Sequence, residues 1–274
     1  MPIVGGDFLN KKVILVTGCS SGFGRAICEQ LNSNQYYIVA TARNKESLKD
    51  LQVDMALYLD VCDEESIQNA INAVIKETGR IDILINNAGF SIRSAMEELD
   101  IEKMKSMYEV NVFGLVRMMQ AVLPIMRKQN SGRILNVGSI SGRMVGIVNG
   151  GYCSTKYAVE ALTEATRYEM ADRGIEVAVI EPGAMDTNFF KTLSRHSDEQ
   201  MLDSHSPYNH LYNRDLNYRK KQKKSSVEIC AREVVKILEK KKLKTRYTVG
   251  VAMIYRLFTH LPDRLKEYGI KKFN

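Results

Sequence analysis

The sequence predicts a single α/β domain: one doubly wound parallel sheet with helices on both faces. Three observations predict it. Strand-like apolar runs alternate with helix-periodic segments from about residue 12 to residue 180, a pattern that builds a parallel sheet wound right-handedly. The strand runs are apolar throughout, as in Val13-Ile14-Leu15-Val16, which is how strands buried on both faces read. The length, 274 residues, suits one large domain with an ample core, so the whole of 1–274 is read as that domain.

The first strand, Lys11 to Thr17, leads into Gly18-Cys19-Ser20-Ser21-Gly22-Phe23-Gly24, and Arg25 to Leu31 then has helical periodicity. A glycine-rich turn between strand and helix lets the backbone approach a diphosphate, whose charge sits at the helix N-terminus. The spacing differs from the commoner GxGxxG, with three residues between Gly18 and the Gly22-x-Gly24 pair. The second strand, Tyr36 to Arg43, ends on Ala42 and Arg43, where an NAD site usually presents a carboxylate. Arginine there suits a 2′-phosphate, and the hydroxyls of Ser20 and Ser21 can add donors. NADP(H) is favoured over NAD(H); the alternative is a surface arginine closing the strand.

Met55 to Asp60 reads as the third strand, followed by a helix over 63–78. Ile81 to Asn86 is the fourth and ends in Asn87-Ala88-Gly89. A long helix over 100–128 carries Asn111, and the fifth strand is Arg133 to Gly138. The next helix bears Tyr152 and Lys156 and runs to about 173, before a sixth strand, Ile175 to Ile180. After Pro182-Gly183 the pattern breaks. The polar stretch 186–225 is either a lid over a substrate or a surface loop. Val227 to Lys240 reads as an amphipathic helix, Arg246 to Gly250 as a last short strand, and 241–274 as a C-terminal extension. Met253, Ile254, Leu257, Phe258 and Leu261 recur there at helical spacing, for core packing, a subunit contact or a membrane surface, with core or oligomer packing the expected use.

Composition excludes several classes. With 45% hydrophobic and 26% charged residues, the chain matches ordinary globular proteins. The opening has no basic region followed by an apolar run, and no apolar stretch approaches a membrane span, so neither a leader nor an integral span is expected. Five cysteines without CxxC pairs fit reduced thiols, a cytoplasmic location and no metal site. The net charge of +7 gathers late, in Arg219 to Lys224 and Lys240 to Arg246. No aromatic residues interleave there as in a single-strand groove, so a solvated face is expected and no nucleic-acid partner.

The chemistry centres on Tyr152 and Lys156, four residues apart and thus one turn apart on one helical face. A free phenol has a pKa of about 10, and a neighbouring cation favours its ionised form. Ser139 ends the fifth strand, thirteen residues before Tyr152. A serine there can donate to a substrate oxygen that the tyrosine protonates or deprotonates, as carbonyl and alcohol interconversion requires. Asn111, polar and mid-helix, needs a partner; a water linking Lys156 to solvent is one.

Thr17-Gly18-x-x-x-Gly22-x-Gly24, Asn86-Asn87-Ala88-Gly89, Asn111, Ser139, Tyr152-x-x-x-Lys156 and Pro182-Gly183 together resemble the motif series of the short-chain dehydrogenase/reductase family, over roughly residues 11–190. The resemblance implies a Rossmann-type domain and hydride transfer between a nicotinamide and a carbonyl or alcohol carbon of a small molecule. It implies Tyr152 as general acid/base, Lys156 as the residue that lowers its pKa and bonds the nicotinamide ribose, Ser139 orienting the substrate and Asn111 supporting a proton relay. Gly18, Ser20, Ser21, Gly22, Phe23 and Gly24 would hold phosphates, Asp60 and Val61 would meet the adenine, and Asn87, Ala88 and Gly89 would line the cofactor. Pro182, Gly183 and Thr187 would hold the nicotinamide end. The loop, Arg43 and the late Arg246-Tyr247-x-x-Gly250 are similar to the NADP-linked 17β-hydroxysteroid and retinol dehydrogenase branch. That branch implies a lipophilic substrate, with Met144, Val145, Ile147, Val148, Met185, Phe189 and Phe190 as walls, and a homodimer or homotetramer. The departure is the polar stretch 191–224 with His196, His205 and His210, which suits a greasy pocket poorly; a polar sugar or acyl-thioester is the alternative substrate, and a non-catalytic NADP-binding regulator the alternative role.

Overall fold

The computed structural model of the chain describes residues 11–187 and 203–273. The expected walls Phe189 and Phe190, and His196, lie outside these residues. Seven strands form one parallel sheet in the order β3-β2-β1-β4-β5-β6-β7. They are β1 Lys12–Val16, β2 Tyr36–Ala42, β3 Met55–Tyr58, β4 Ile83–Asn86, β5 Gly132–Val137, β6 Ile175–Pro182 and β7 Arg246–Val249. The order reverses between β1 and β4, and ligands of such sheets bind beyond the carboxyl ends at that point.

Strand alternation feeds two cores. Ile14, Ile38, Ile85, Leu135 and Ile180 face one side with Ile27 and Val234; their strand neighbours Leu15, Val39, Leu84, Ile134 and Val177 face the other with Ile71, Met118 and Val159. Helices α1 (Gly22–Gln30), α2 (Glu64–Thr78), α4 (Leu115–Gln129) and α5 (Gly150–Glu169) supply much of the cover. The caps of α2 follow local rules: the Asp63 carboxylate accepts from Glu65 N at its start, and Gly79 ends it at φ 71°, left-handed backbone that glycine adopts without strain. Among the described residues Ile101–Gln129 is the one run long and apolar enough to cross a membrane by length and composition, and its Met118, Met119, Val122 and Met126 are buried in the core.

Four expectations change. The helix over 100–128 is broken into α3 (Ile101–Tyr108), a π-helical turn Glu109–Gly114, and α4. α5 stops at Glu169, short of 173. Within the stretch read as irregular, Asn209–Lys221 is a helix, α6. Its sequence is mostly polar, and Tyr212, fully buried, anchors it: the phenol donates to Glu98 Oε2 at 2.6 Å and accepts from Ala95 N at 2.9 Å. After α7 (Val227–Leu238) and β7, the tail forms α8 (Met253–Phe258) and α9 (Asp263–Phe273). Met253, Ile254 and Leu257 are exposed, so of the core or oligomer packing expected of the tail, core packing does not occur at these three. On the opposite side of α8, half-buried Tyr255 meets Tyr218 and Arg256 donates to the Val251 carbonyl.

Candidate active site

The loop after β1 is held by its own backbone needs. Gly18 and Gly22 have φ of +72° and +63°, conformations that favour glycine. A Cβ on Gly18 would stand 2.9 Å from Ala88 Cα, and one on Gly24 only 2.6 Å from the Gly18 carbonyl. Thr17 Oγ1 accepts from Asn87 N and Ala88 N at 3.0 Å each, while the Asn87 amide donates back to the carbonyls of Thr17 and Gly18. At the start of α1, Ser21 makes no capping bond and the first turn carries no acidic residue. Those N–H groups are thus left for an outside anion, which is what a dinucleotide diphosphate requires.

This loop forms one wall of a cleft of about 1250 Å³ at the carboxyl ends of the strands. Gly18, Ser20, Ser21, Gly22, Phe23, Arg43, Asp60, Val61, Asn87, Ala88, Gly89, Ser139, Tyr152, Lys156, Pro182, Gly183 and Thr187 all line it. Arg43 is exposed at its rim, directly after β2. Asp60 shapes the turn after β3 by accepting from Cys62 N. Gly183 donates to the Val249 carbonyl, and a Cβ on it would meet the Gly250 carbonyl at 2.5 Å. Met144, Val145, Ile147 and Met185 also face the cleft, whereas Val148 packs behind it against Tyr212.

Two expected residues do not reach this wall. Gly24 lies behind it, against the Asn87 side chain and the Gly18 carbonyl. Asn111 is buried in the π turn: its Oδ1 accepts from Phe90 N at 2.9 Å, and its amide donates to the Phe90 carbonyl at 2.8 Å and to Thr155 Oγ1 at 3.2 Å. The widened turn is the geometry that aims it at the loop, and both of its amide hydrogens are committed to protein.

The side chains of Ser139, Tyr152 and Lys156 converge. Ser139 hydrogen-bonds the Tyr152 phenol, but burial dominates that group and raises its pKa to about 12. Burial outweighs the Ser139 bond, so the phenol stands above its free value and not below it. Lys156 Nζ lies 5.8 Å from the Tyr152 ring centre and donates to the Val137 carbonyl at 2.8 Å. Burial lowers the Lys156 pKa to about 8, with the Glu160 carboxylate opposing the shift. Sequence reasoning missed a second cluster on the cleft wall, Arg93, Asp215 and Arg219; the four-residue spacing of Asp215 and Arg219 was its only signal.

Comparison with known proteins gives the class. The short chain dehydrogenase family model matches residues 12–198, and the chain belongs to that family. It is 33% identical over 271 residues to a 3-ketodihydrosphingosine reductase of Bacteroides thetaiotaomicron, covering 97% of this chain and 98% of the relative. An NADP-dependent 3-hydroxy acid dehydrogenase of Schizosaccharomyces pombe is 35% identical, covering 72% and 80%. A crystal structure of a short-chain dehydrogenase from Streptomyces avermitilis superposes with a TM-score of 0.76 at 31% identity, covering 95% of each chain. The protein is an oxidoreductase of hydroxyl or keto groups that uses a nicotinamide cofactor.

The burial of Lys156 has a measurable cost. Its pKa falls from 10.5 to about 8 on folding, so the unfolded chain binds more protons between these values and this group's contribution rises with pH across that window. Below pH 8 the penalty is complete, about 3 kcal/mol at most. Lys156→Met should therefore stabilise the protein at pH 7 by roughly 1–2 kcal/mol after the lost carbonyl bond is counted, and the gain should shrink as pH rises above 8 and turn into a loss of about 1 kcal/mol by pH 10.5. Urea unfolding at both pH values checks this; a destabilised variant at pH 7 contradicts it.

Proposed function

We propose that the protein is an NADP(H)-dependent reductase and dehydrogenase that interconverts a ketone and a secondary alcohol in a substrate with a substantial apolar part. The observation that carries the reading is the hydrogen-bonded Ser139–Tyr152 pair, with Lys156 beside it, in the cleft that the glycine-rich loop also lines. Bound there, the nicotinamide supplies or accepts the hydride. In reduction the carbonyl oxygen accepts hydrogen bonds from Ser139 and Tyr152, and the Tyr152 proton moves to that oxygen as the carbon gains hydride; oxidation reverses both transfers. A phenol with a pKa of about 12 keeps its proton at physiological pH and suits the acid role of the reductive direction. Lys156 is the buried cation available to stabilise the phenolate left behind. Asn111 acts through position, holding Phe90 and so the Asn87–Gly89 loop against α5.

The diphosphate falls to Gly18, Ser20, Ser21, Gly22 and Phe23, with Gly24 allowing the loop its path. Arg43 meets a 2′-phosphate, which is the basis for NADP(H). Asp60 and Val61 take the adenine side, and Pro182, Gly183 and Thr187 the nicotinamide end. Met144, Val145, Ile147 and Met185 are the apolar walls for substrate, and steroid-like, retinoid-like and long-chain ketones all fit that class. The name of the Bacteroides relative, a reductase of a long-chain ketone, supports the apolar reading.

Two variants test the roles. Tyr152→Phe should abolish NADPH oxidation by any ketone the protein reduces, with NADPH binding retained by fluorescence titration; surviving turnover shows that another acid acts. Arg43→Ala should weaken NADPH by roughly 1–3 kcal/mol, the worth of a charge-assisted phosphate contact, and leave NADH nearly unchanged. Equal losses for the two cofactors would remove the phosphate contact.

A further inference from the structure

A layer of buried charge lies behind the three converging side chains, and no step of the hydride or proton transfer touches it. Glu160 stands one turn beyond Lys156 on α5, with its side chain 7% exposed. Its Oε2 accepts from Arg246 Nε at 2.7 Å, and Arg246 Nη2 donates to Glu164 Oε2, one turn further on, at 2.7 Å. Glu160 Oε1 is buried with no hydrogen-bond partner among the described residues. It lies under the turn that carries Ser139, where a Cβ on Gly138 would stand 3.1 Å from it. A Cβ on Gly142 would meet the Lys156 carbonyl at 2.9 Å and Glu160 Cγ at 3.1 Å. The two glycines thus let the Ser139 turn close down on the stretch of α5 that carries both residues. β6 adds Glu181, 4% exposed, whose Oε1 lies 3.9 Å from Arg246 Nε and 3.5 Å from Arg143 Nη1.

The charged groups that face Glu160 are therefore Lys156 and Glu164 on its own helix, Arg143 at the end of the Ser139 turn, Glu181 on β6 and Arg246 on β7. Glu164 and Glu181 already give Arg246 two carboxylates, and Glu181 also pairs with Arg143, so neutralising these guanidiniums does not call for a third. The cation left, one turn away on the same helix, is Lys156, itself buried and bonded through Nζ to a neutral carbonyl. A buried ammonium without a counter-charge is costly, and a carboxylate four residues on is near enough to supply one. Burial works on the two groups in opposite senses, lifting the Glu160 carboxyl to about 7 and lowering Lys156 to about 8, while Glu160 acts to raise Lys156.

We propose that Glu160 is a positioning residue of the proton transfer: its carboxylate holds Lys156 in the charged form that stabilises the Tyr152 phenolate, and Arg246 holds that carboxylate in place. This rests on the reductase reading of the cleft, in which the phenolate forms as the ketone is reduced. As pH rises the Lys156 cation is lost and reduction slows; without Glu160 that loss comes at lower pH.

The test follows Lys156 itself before turnover. Heteronuclear NMR of the lysine amines of the full chain reads its titration, the signal being identified by its absence in Lys156→Arg. Glu160→Gln should move that titration down by about one pH unit, the effect of removing an opposite charge one helical turn away. Glu160→Asp keeps the charge and should restore most of the shift. The alkaline limb of kcat for NADPH oxidation by 2-octanone should move down by the same amount, whereas a residue that only packs the turn would lower kcat equally at every pH. An unmoved Lys156 titration in Glu160→Gln overturns the proposal, as does a moved titration with an unmoved limb. A moved titration in a protein that oxidises NADPH with no ketone keeps the coupling of Glu160 to Lys156 and refutes the reductase. Should Glu160→Gln fail to fold, Lys156→Met reads the pair from the other side. The Glu160 carboxyl carbon, followed by NMR, should then titrate about one pH unit higher than in the wild type, and an unchanged value overturns the proposal.

Discussion

The cleft depends on how closely two strand ends approach each other. The chain leaving β1 passes so near the chain leaving β4 that neither Gly18 nor Gly24 has room for a side chain. Four hydrogen bonds then cross the gap, donated by Asn87 and Ala88 and accepted by Thr17 and Gly18. Backbone donors beyond this stitch are directed outward at the start of α1, and the stitch lies where the strand order reverses, the place such sheets offer to a ligand. Asn111 extends the same fixation to a third element: through Phe90 and Thr155 it joins the loop to the helix carrying Tyr152 and Lys156. Loop, helix and strand end are therefore positioned by side chains that the substrate never needs to touch.

Chemistry in this cleft is set against stability. Burial holds the Tyr152 phenol at about 12 and weakens the Lys156 cation to about 8. A core built for stability alone would place neither group there. The nearby Glu160 carboxylate, itself pushed up by burial, is paired with Arg246 at 2.7 Å. That pairing spreads charge from the active helix to β7 and ties the last strand to the site.

Much of this was legible in the sequence because the signals were strong and local. Continuous apolar runs marked six strands, and the short Arg246–Val249 run a seventh, since nothing but burial on both faces explains Val13 to Val16 or Val177 to Ile180. The glycine positions, Ser139, Tyr152 and Lys156 stood at strand ends and on one helical face, so their convergence followed from topology. What escaped was decided by tertiary contact. The π turn at Glu109–Gly114 answers the need of Asn111 to reach Phe90 and the press of Gly114 against Val61, and neither partner lies near it in sequence. Helix α6 has little apolar periodicity and hangs on Tyr212. The depth of Tyr152 and Lys156 was not readable either, because spacing fixes which face a residue occupies and not how far it is withdrawn from water. Met253, Ile254 and Leu257 kept their helical spacing but face outward, since periodicity alone does not say which side of a helix the core will take.

The central claim is that this cleft moves a hydride from a nicotinamide to a carbonyl carbon. The most direct measurement gives the protein NADPH carrying deuterium at C4 on both faces, with an apolar ketone, and reads the product by mass spectrometry. The account predicts one deuterium on the carbinol carbon of every product molecule. An alcohol formed without deuterium, or deuterated NADPH consumed with no alcohol formed, contradicts it.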